Sequence, residues 1–119
     1  MADLAVADAS PLILLARSGW IELLRSTAPR IIVPMVVAAE MRQRAADEPA
    51  VVALATLAWI EIVETGPVDD RVAACALDPG ESAVLTWALD SPGIEAILDE
   101  KLARRCAARL SIAHPVHSA

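Results

Sequence analysis

Phenylalanine and tyrosine are absent from this chain, and three tryptophans supply all of its aromatic side chains. The interior must therefore be built from small and branched residues, although hydrophobic residues make up 56% of the 119 positions. This length corresponds to one domain, residues 1–119, because domains cluster at roughly 100–150 residues. Alanine-rich stretches favour helix and runs of β-branched residues favour strand, so the composition indicates an α/β fold.

The chain also lacks a long apolar run and a basic amino terminus. Its longest uncharged apolar stretch, residues 50–60, is well short of the roughly 18 residues that a membrane-spanning helix needs. Residues 1–3 do not resemble the basic start of a secretory signal. We therefore expect no membrane association and a cytoplasmic location.

Residues that bind zinc or form disulfides are scarce. Cys75 and Cys106 lie in Ala-rich apparent helices and show no CxxC spacing, so two buried free thiols are expected rather than a disulfide or a metal site. His114 and His117 lie near the end of the chain, where a surface role is more typical than metal ligation. The sequence therefore offers no Cys/His zinc site.

Positive charge is in deficit, with a formal net charge of −6. Broad, sequence-independent binding to a nucleic-acid backbone needs a cationic surface, so any contact with RNA must be local. The basic residues concentrate in two short segments: Lys101, Arg104, Arg105 and Arg109, and the pair Arg42 and Arg44. A solvated helix face explains these segments equally well.

Apolar runs with strand character alternate with helical stretches. Strands are predicted at Leu4–Ala7, Ile31–Val33, Trp59–Val63 and Ile94–Leu98, with a fifth, less clearly patterned, at residues 112–116. Helices are predicted at residues 11–17, 20–25, 34–46, 49–57, 71–76, 79–89 and 100–110. Ser10 is the predicted N-cap of the first helix and Pro11 its first residue. The alternation predicts a parallel sheet with helices on both faces.

Two acids follow strands directly. Asp8 and Asp99 each come after an apolar strand and before a helix. Ligands of parallel sheets bind beyond the carboxyl ends of the strands, where the strand order reverses. Glu40 and Glu81 are predicted at the same edge. Converging carboxylates repel one another unless a cation neutralises them, and ligand sets made only of oxygen favour Mg²⁺ or Mn²⁺.

Each of these acids also has a structural role open to it. Asp99 is in position to cap the helix that follows it, and Asp78 with Glu81 has the spacing of a capping box. Asp8 could close a local turn, and Glu40 could lie on a solvated helix face. The residues alone leave both interpretations open.

Four segments carry a family resemblance. They are Asp8-Ala9-Ser10-Pro11-Leu12-Ile13, Val33-Pro34 followed by Glu40, Pro79-Gly80-Glu81-Ser82-Ala83, and Leu98-Asp99-Glu100-Lys101 with Ala103-Arg104. Together they span nearly the whole chain, and their order and spacing are similar to those of PIN-domain proteins. The sequence particularly resembles the compact bacterial and archaeal branch related to VapC toxins, whose members are described as predicted nucleic-acid-binding.

The resemblance implies a PIN fold, with a parallel sheet of order 3-2-1-4-5, and metal-dependent endoribonuclease activity. The catalytic and metal-binding acids would be Asp8, Glu40, Glu81 and Asp99, with Mg²⁺ or Mn²⁺ as the cofactor. Ser10 would be an accessory hydroxyl near the metal. The residues that could steady the RNA backbone are Lys101, Arg104 and Arg105. Relatives usually continue past the fifth strand, so the domain is expected to be short at its carboxyl end.

The leading functional hypothesis is the RNA-cleaving toxin of a VapC-like toxin–antitoxin pair, with RNA as substrate and a cognate antitoxin as partner. The alternative is a non-catalytic PIN-like module that binds protein, which the negative charge and the short carboxyl end favour. A receiver or phosphatase-like domain is less well supported, because no second Asp stands beside Asp8 in a DxD arrangement. The apolar segment Leu12–Leu24 predicts a homodimer, as the resemblance also implies, unless these residues pack into the core.

Overall fold

The computed structural model describes residues 3–44, 49–98 and 101–110. The strands are β1 (Leu4–Ala7), β2 (Arg30–Pro34), β3 (Ile60–Val63) and β4 (Glu95–Ile97). The helices are α1 (Ala9–Arg17), α2 (Met35–Arg44), α3 (Pro49–Thr56), α4 (Asp70–Ala73), α5 (Pro79–Asp90) and α6 (Lys101–Arg109), with a 3-10 helix at Ile21–Ser26. The predicted alternation of strands and helices is confirmed. The predicted fifth strand lies outside the described residues.

The four strands form one parallel sheet in the order β3-β2-β1-β4. The chain moves outward from β1 through β2 to β3 and then returns to the other side of β1. The point at which the strand order reverses therefore lies between β1 and β4, where Ala7 is paired with Ile97. This arrangement confirms the predicted order 3-2-1-4 and places the end of β1 at the position where such sheets bind ligands.

Strands β1 and β2 form the centre of the hydrophobic core. Residues 5–7 and 31–33 are buried on both faces of the sheet, as expected where helices cover a parallel sheet. Among the helices, α1 packs against α3, and α5 contacts three strands as well as α4 and α6. No helix among the described residues is long and apolar enough to span a bilayer.

The prediction that Ser10 is the N-cap of the first helix is wrong, and two prolines also occupy positions different from those predicted. Asp8, with φ −87° and ψ 168°, stands at the N-cap position, α1 begins at Ala9, and Ser10 is an exposed residue of the first turn. Pro11 also lies in that turn, where backbone N–H groups have no partner within the helix and a missing one costs little. Pro34 ends β2 instead of starting α2, because its fixed φ is compatible with extended backbone.

The prediction of two free thiols is wrong, because Cys75 and Cys106 form a disulfide. Cys75 follows α4 and Cys106 lies in α6, and their Cα atoms are 6.3 Å apart. Both helices pack against α5, which brings together two residues that are 31 positions apart in sequence. Local spacing such as CxxC carries no information about a contact created by a third helix. Cys106 is buried as expected, whereas Cys75 is only half-buried.

Candidate active site at the carboxyl edge of the sheet

Asp8 is the first residue after β1 and is only 6% exposed. Its backbone N–H donates a hydrogen bond to the carbonyl of Ile97 at 3.1 Å, which extends the β1–β4 pairing by one residue. Although Asp8 stands at the N-cap position of α1, its side chain makes no capping hydrogen bond. The fold therefore holds a buried carboxylate where the strand order reverses, without using it to cap the helix.

Glu40 reaches the same place from α2. The position that a Cβ atom on Gly80 would occupy is 3.0 Å from Oε2 of Glu40 and 3.2 Å from Oδ1 of Asp8. The two carboxylate oxygens therefore cannot be further apart than the sum of these distances. Because Gly80 has no side chain, the first turn of α5 can lie directly against both carboxylates.

Glu81 is also only 6% exposed and belongs to the capping box of α5. Its backbone N–H donates to Oδ1 of Asp78 at 2.8 Å, and its Oε1 accepts from the backbone N–H of Asp78 at 3.4 Å. These bonds satisfy N–H groups that the start of a helix leaves without partners. The predicted capping role of Asp78 is confirmed. The bond that the Glu81 side chain accepts is longer than is usual for an N–H···O hydrogen bond and is therefore weak.

The charges of these acids act on one another. The pKa of Asp8 is raised to about 6, mainly by burial and in smaller part by the nearby charges of Asp78 and Glu40, against the lowering effect of the backbone N–H of Ala9. The pKa of Glu81 is raised to about 7, mainly by burial, with contributions from an interaction with the Asp78 side chain and from the charges of Asp78 and Asp8, whereas the backbone N–H of Asp78 lowers it. Both effects disfavour the ionised form. A bound cation would reverse that balance.

The chemistry of the donor groups fits a hard divalent cation. Within residues 3–44, 49–98 and 101–110, no three acidic, His or Cys side chains are close enough together to hold a metal ion. Asp8 and Glu40 do converge, and Mg²⁺ is commonly bound through one or two carboxylates while it keeps several waters. These two residues therefore fit part of a ligand set. Asp99, the acid predicted after β4, lies outside the described residues.

The structure describes the predicted accessory hydroxyl and two of the three predicted RNA-binding residues. Ser10 is exposed, two positions after Asp8. Lys101 begins α6 four positions after the end of β4, and both Lys101 and Arg105 are exposed. Their i, i+4 spacing places them on one face of the helix. The side chain of Arg104 lies outside the described part of the chain.

Two residues at this site were not selected from the sequence. The guanidinium Nη1 of Arg44 is 3.8 Å from Oε1 of Glu40, and the positive charge of Arg44 partly opposes the rise in the pKa of Asp8. The i, i+4 spacing of Glu40 and Arg44 was the signal available in the sequence. Gly80 stood in the Pro79-Gly80-Glu81 motif, but nothing local indicates which side chains lie against it.

An open groove of about 270 Å³ lies beside Glu40, between α2 and the start of α5. Its lining residues are Val36, Ala39, Glu40, Gln43, Asp78 and Pro79. The groove offers apolar walls and one neutral amide next to the converging carboxylates. A chain-like substrate could therefore approach the acids from the side of α2.

A parallel α/β sheet with acidic side chains where its strand order reverses defines the class of this protein. A family model described as a PIN domain matches residues 4–114, and the chain belongs to that family. No curated protein matches this chain. PIN domains are in general metal-dependent nucleases. The family therefore agrees with the fold and supports a nuclease-type function.

Proposed function

We propose that this protein is a metal-dependent endoribonuclease of the VapC-like branch and the toxin of a toxin–antitoxin pair that acts in the cytoplasm. The observation that carries the proposal is the convergence of the Asp8 and Glu40 carboxylates against Gly80, at the edge where the strand order reverses. Membership of the PIN family supports the nuclease class. The cognate antitoxin is expected from the resemblance to VapC toxins.

In this proposal Asp8 and Glu40 hold Mg²⁺ or Mn²⁺ together with Asp99, and Glu81 stands beside them as a fourth acid. Such an ion supplies a water of lowered pKa as nucleophile and stabilises the charge that develops on the phosphate. The backbone bond to Ile97 fixes the main chain of Asp8, and burial restricts its carboxylate. The fixed sheet edge thus orients the acids before substrate binds.

The substrate in this proposal is single-stranded RNA that lies along the groove beside Glu40. The two acids that line the groove disfavour a phosphate inside it, so the bases are better suited to its apolar walls. The backbone would then contact Lys101, Arg104 and Arg105, and Ser10 would act as an accessory hydroxyl. With a net charge of −6, only these local contacts can neutralise phosphates.

The test is cleavage of single-stranded RNA with Mg²⁺ or Mn²⁺, compared with EDTA. Asp8→Asn should abolish cleavage. Glu81→Gln should abolish cleavage with the melting temperature preserved, because an amide can keep the capping contact but is a poorer ligand for a hard cation. Glu22→Gln is the matched control, since Glu22 is an exposed acid in the 3-10 helix, at the far end of the β1–β2 connection.

The alternative is a non-catalytic PIN-like interaction module. The observation that favours it is the engagement of Glu81 and Asp78 in a capping box, which gives both acids a structural use. It is correct if repurified protein cleaves none of a varied set of RNAs while the parent and Asp8→Asn bind one protein partner equally well. A small open reading frame beside the gene would be the expected antitoxin gene. Its presence would distinguish the toxin of a toxin–antitoxin pair from other nucleases.

A further inference from the structure

Arg44 places a positive charge beside the converging carboxylates. It ends α2, one turn after Glu40, and its Nη1 is 3.8 Å from Oε1 of Glu40. The other oxygen of the same carboxylate, Oε2, faces Asp8 across Gly80. The two oxygens of Glu40 therefore have different partners, a guanidinium on one and a second carboxylate beyond the other.

The ion pair between Arg44 and Glu40 is loose. Its 3.8 Å distance is long for a hydrogen-bonded pair, and the two side chains are 55% and 39% exposed. An exposed i, i+4 pair of this kind contributes little to stability. Arg44 is therefore free to exchange partners without loss of the fold.

A guanidinium binds phosphate well. Its planar fork of donors matches two oxygens of a phosphate group, and it is less strongly hydrated than an ammonium group. If another cation neutralises Glu40, Arg44 is left as a charged donor at the rim of the site. The nearest anion of high charge would then be the backbone of a bound RNA.

We propose that Arg44 binds an RNA phosphate by exchange: it neutralises Glu40 in the metal-free protein and turns to the RNA backbone when Glu40 binds a divalent cation. The inference rests on the proposed nuclease function and names the regulation of that same site. In this exchange, metal binding strengthens RNA binding, and RNA binding strengthens metal binding by the same factor.

Arg42 provides a matched control. It carries the same charge in the same last turn of α2, so its substitution has the same effect on net charge and on the interaction with the helix carboxyl end. Arg42 is exposed and pairs with no acid among the described residues. A difference between the two variants therefore reports the position of Arg44 beside Glu40.

The first measurement is Mn²⁺ binding by calorimetry for the parent, Arg44→Gln and Arg42→Gln, without RNA. Arg44→Gln should bind Mn²⁺ roughly two-fold more tightly, because it removes a cation that competes for Glu40 with the strength of an exposed helix pair. Arg42→Gln should bind like the parent. Equal affinities for all three proteins would overturn the exchange.

The second measurement is binding of a short phosphorothioate RNA, chosen to slow cleavage, as a function of salt. With Mn²⁺ present, Arg44→Gln should flatten the plot of log affinity against log salt by about 0.7, the slope for one phosphate contact on a single strand. In EDTA the variant should have the slope of the parent. Arg44→Lys should restore the slope in Mn²⁺, since it keeps the charge.

The outcomes separate the two proposals. If the parent binds neither Mn²⁺ nor RNA, the nuclease proposal and the exchange both fail. If the parent binds and cleaves RNA with metal but Arg44→Gln and Arg42→Gln behave alike, only the exchange fails. The exchange also fails if Arg44→Gln flattens the plot of log affinity against log salt equally in Mn²⁺ and in EDTA. That result would show a phosphate contact that does not depend on metal.

Discussion

The fold buries the carboxyl group of Asp8 but gives it no capping hydrogen bond. Its pKa is raised from 3.8 to about 6, mainly by burial. Between these two values the unfolded chain has released a proton that the folded chain still holds. The stability linked to this proton is therefore complete below pH 3.8 and is lost as the pH rises through about 6.

Asp8→Asn should remove this loss of stability. We expect the metal-free variant to be more stable than the parent at pH 7, on the order of 2 kcal/mol, because an amide has no charge to desolvate. The difference should disappear toward pH 4. Urea unfolding in EDTA across this range measures it, with the exposed Asp3→Asn as control. A variant that is less stable than the parent at pH 7 would show that the Asp8 carboxylate has a structural partner.

Gly80 is the second residue with a specific requirement. Gly80→Ala would place a methyl carbon 3.0 Å from Oε2 of Glu40 and 3.2 Å from Oδ1 of Asp8, closer than normal contact. Ala is otherwise the better helix former. We therefore expect a folded variant with a normal melting temperature and Mn²⁺ affinity lowered about ten-fold or more, by calorimetry. Unchanged affinity would mean that these two oxygens do not share a ligand.

Asp78 caps the start of α5 and also adds a negative charge beside Glu81. Two substitutions of Asp78 distinguish the capping role from the effect of the charge. Asp78→Asn keeps a good N-cap and removes the charge, whereas Asp78→Ala removes both. Asp78→Ala should lose about 1 kcal/mol of stability. Asp78→Asn should be as stable as the parent at pH 7 and should lower the pKa of Glu81, because the charged side chain of Asp78 raises that pKa. Carboxyl NMR titration measures the pKa, and equal values in parent and Asp78→Asn would contradict the coupling.

The disulfide joins Cys75, which follows α4, to Cys106 in α6. Closing a chain segment of 31 residues restricts the unfolded state, so its removal should cost roughly 2–4 kcal/mol. The double variant Cys75→Ser, Cys106→Ser should melt at a lower temperature than the oxidised parent and at the same temperature as the reduced parent. Thermal melts with and without reductant test this. Two reactive thiols in folded protein purified without reductant would contradict the bond.

The strand and helix order was predictable because it depends on local pattern. The short apolar run before Asp8 and the capping box of Asp78 and Glu81 are both contained in a few adjacent residues. The disulfide and the Glu40–Gly80 contact were not predictable in this way. They arise where α5 packs against other helices, and that packing is decided by the whole sheet. Asp99 lies outside the described residues, so its predicted role stays a prediction.

At the scale of the whole molecule, the negative charge and the carboxylates limit how RNA can bind. With a net charge of −6, the protein repels a long phosphate backbone except near its few cations. A bound divalent ion would cancel part of this repulsion at the edge where Asp8 and Glu40 meet. For the proposed nuclease, charge alone therefore predicts RNA binding that depends on metal, before any specific contact is considered.

The surface of α1 and the 3-10 helix remains partly apolar. Leu14, Trp20 and Leu23 are 58%, 61% and 53% exposed, whereas Leu12 and Leu24 are buried. Packing into the core therefore accounts for only part of the segment from which a homodimer was predicted. Large apolar side chains grouped in one segment are typical of contacts between copies of a chain.

We expect a symmetric homodimer through this surface, with Leu23→Glu a folded monomer because a carboxylate would be buried at the interface. Light scattering at concentrations of tens of micromolar, where weak specific interfaces are occupied, measures the mass. Val68→Glu is the control, since Val68 is an exposed apolar residue in the loop before α4. If the parent has the mass of a monomer at this concentration, Leu14, Trp20 and Leu23 are available to a different partner, and an antitoxin segment is the first to test.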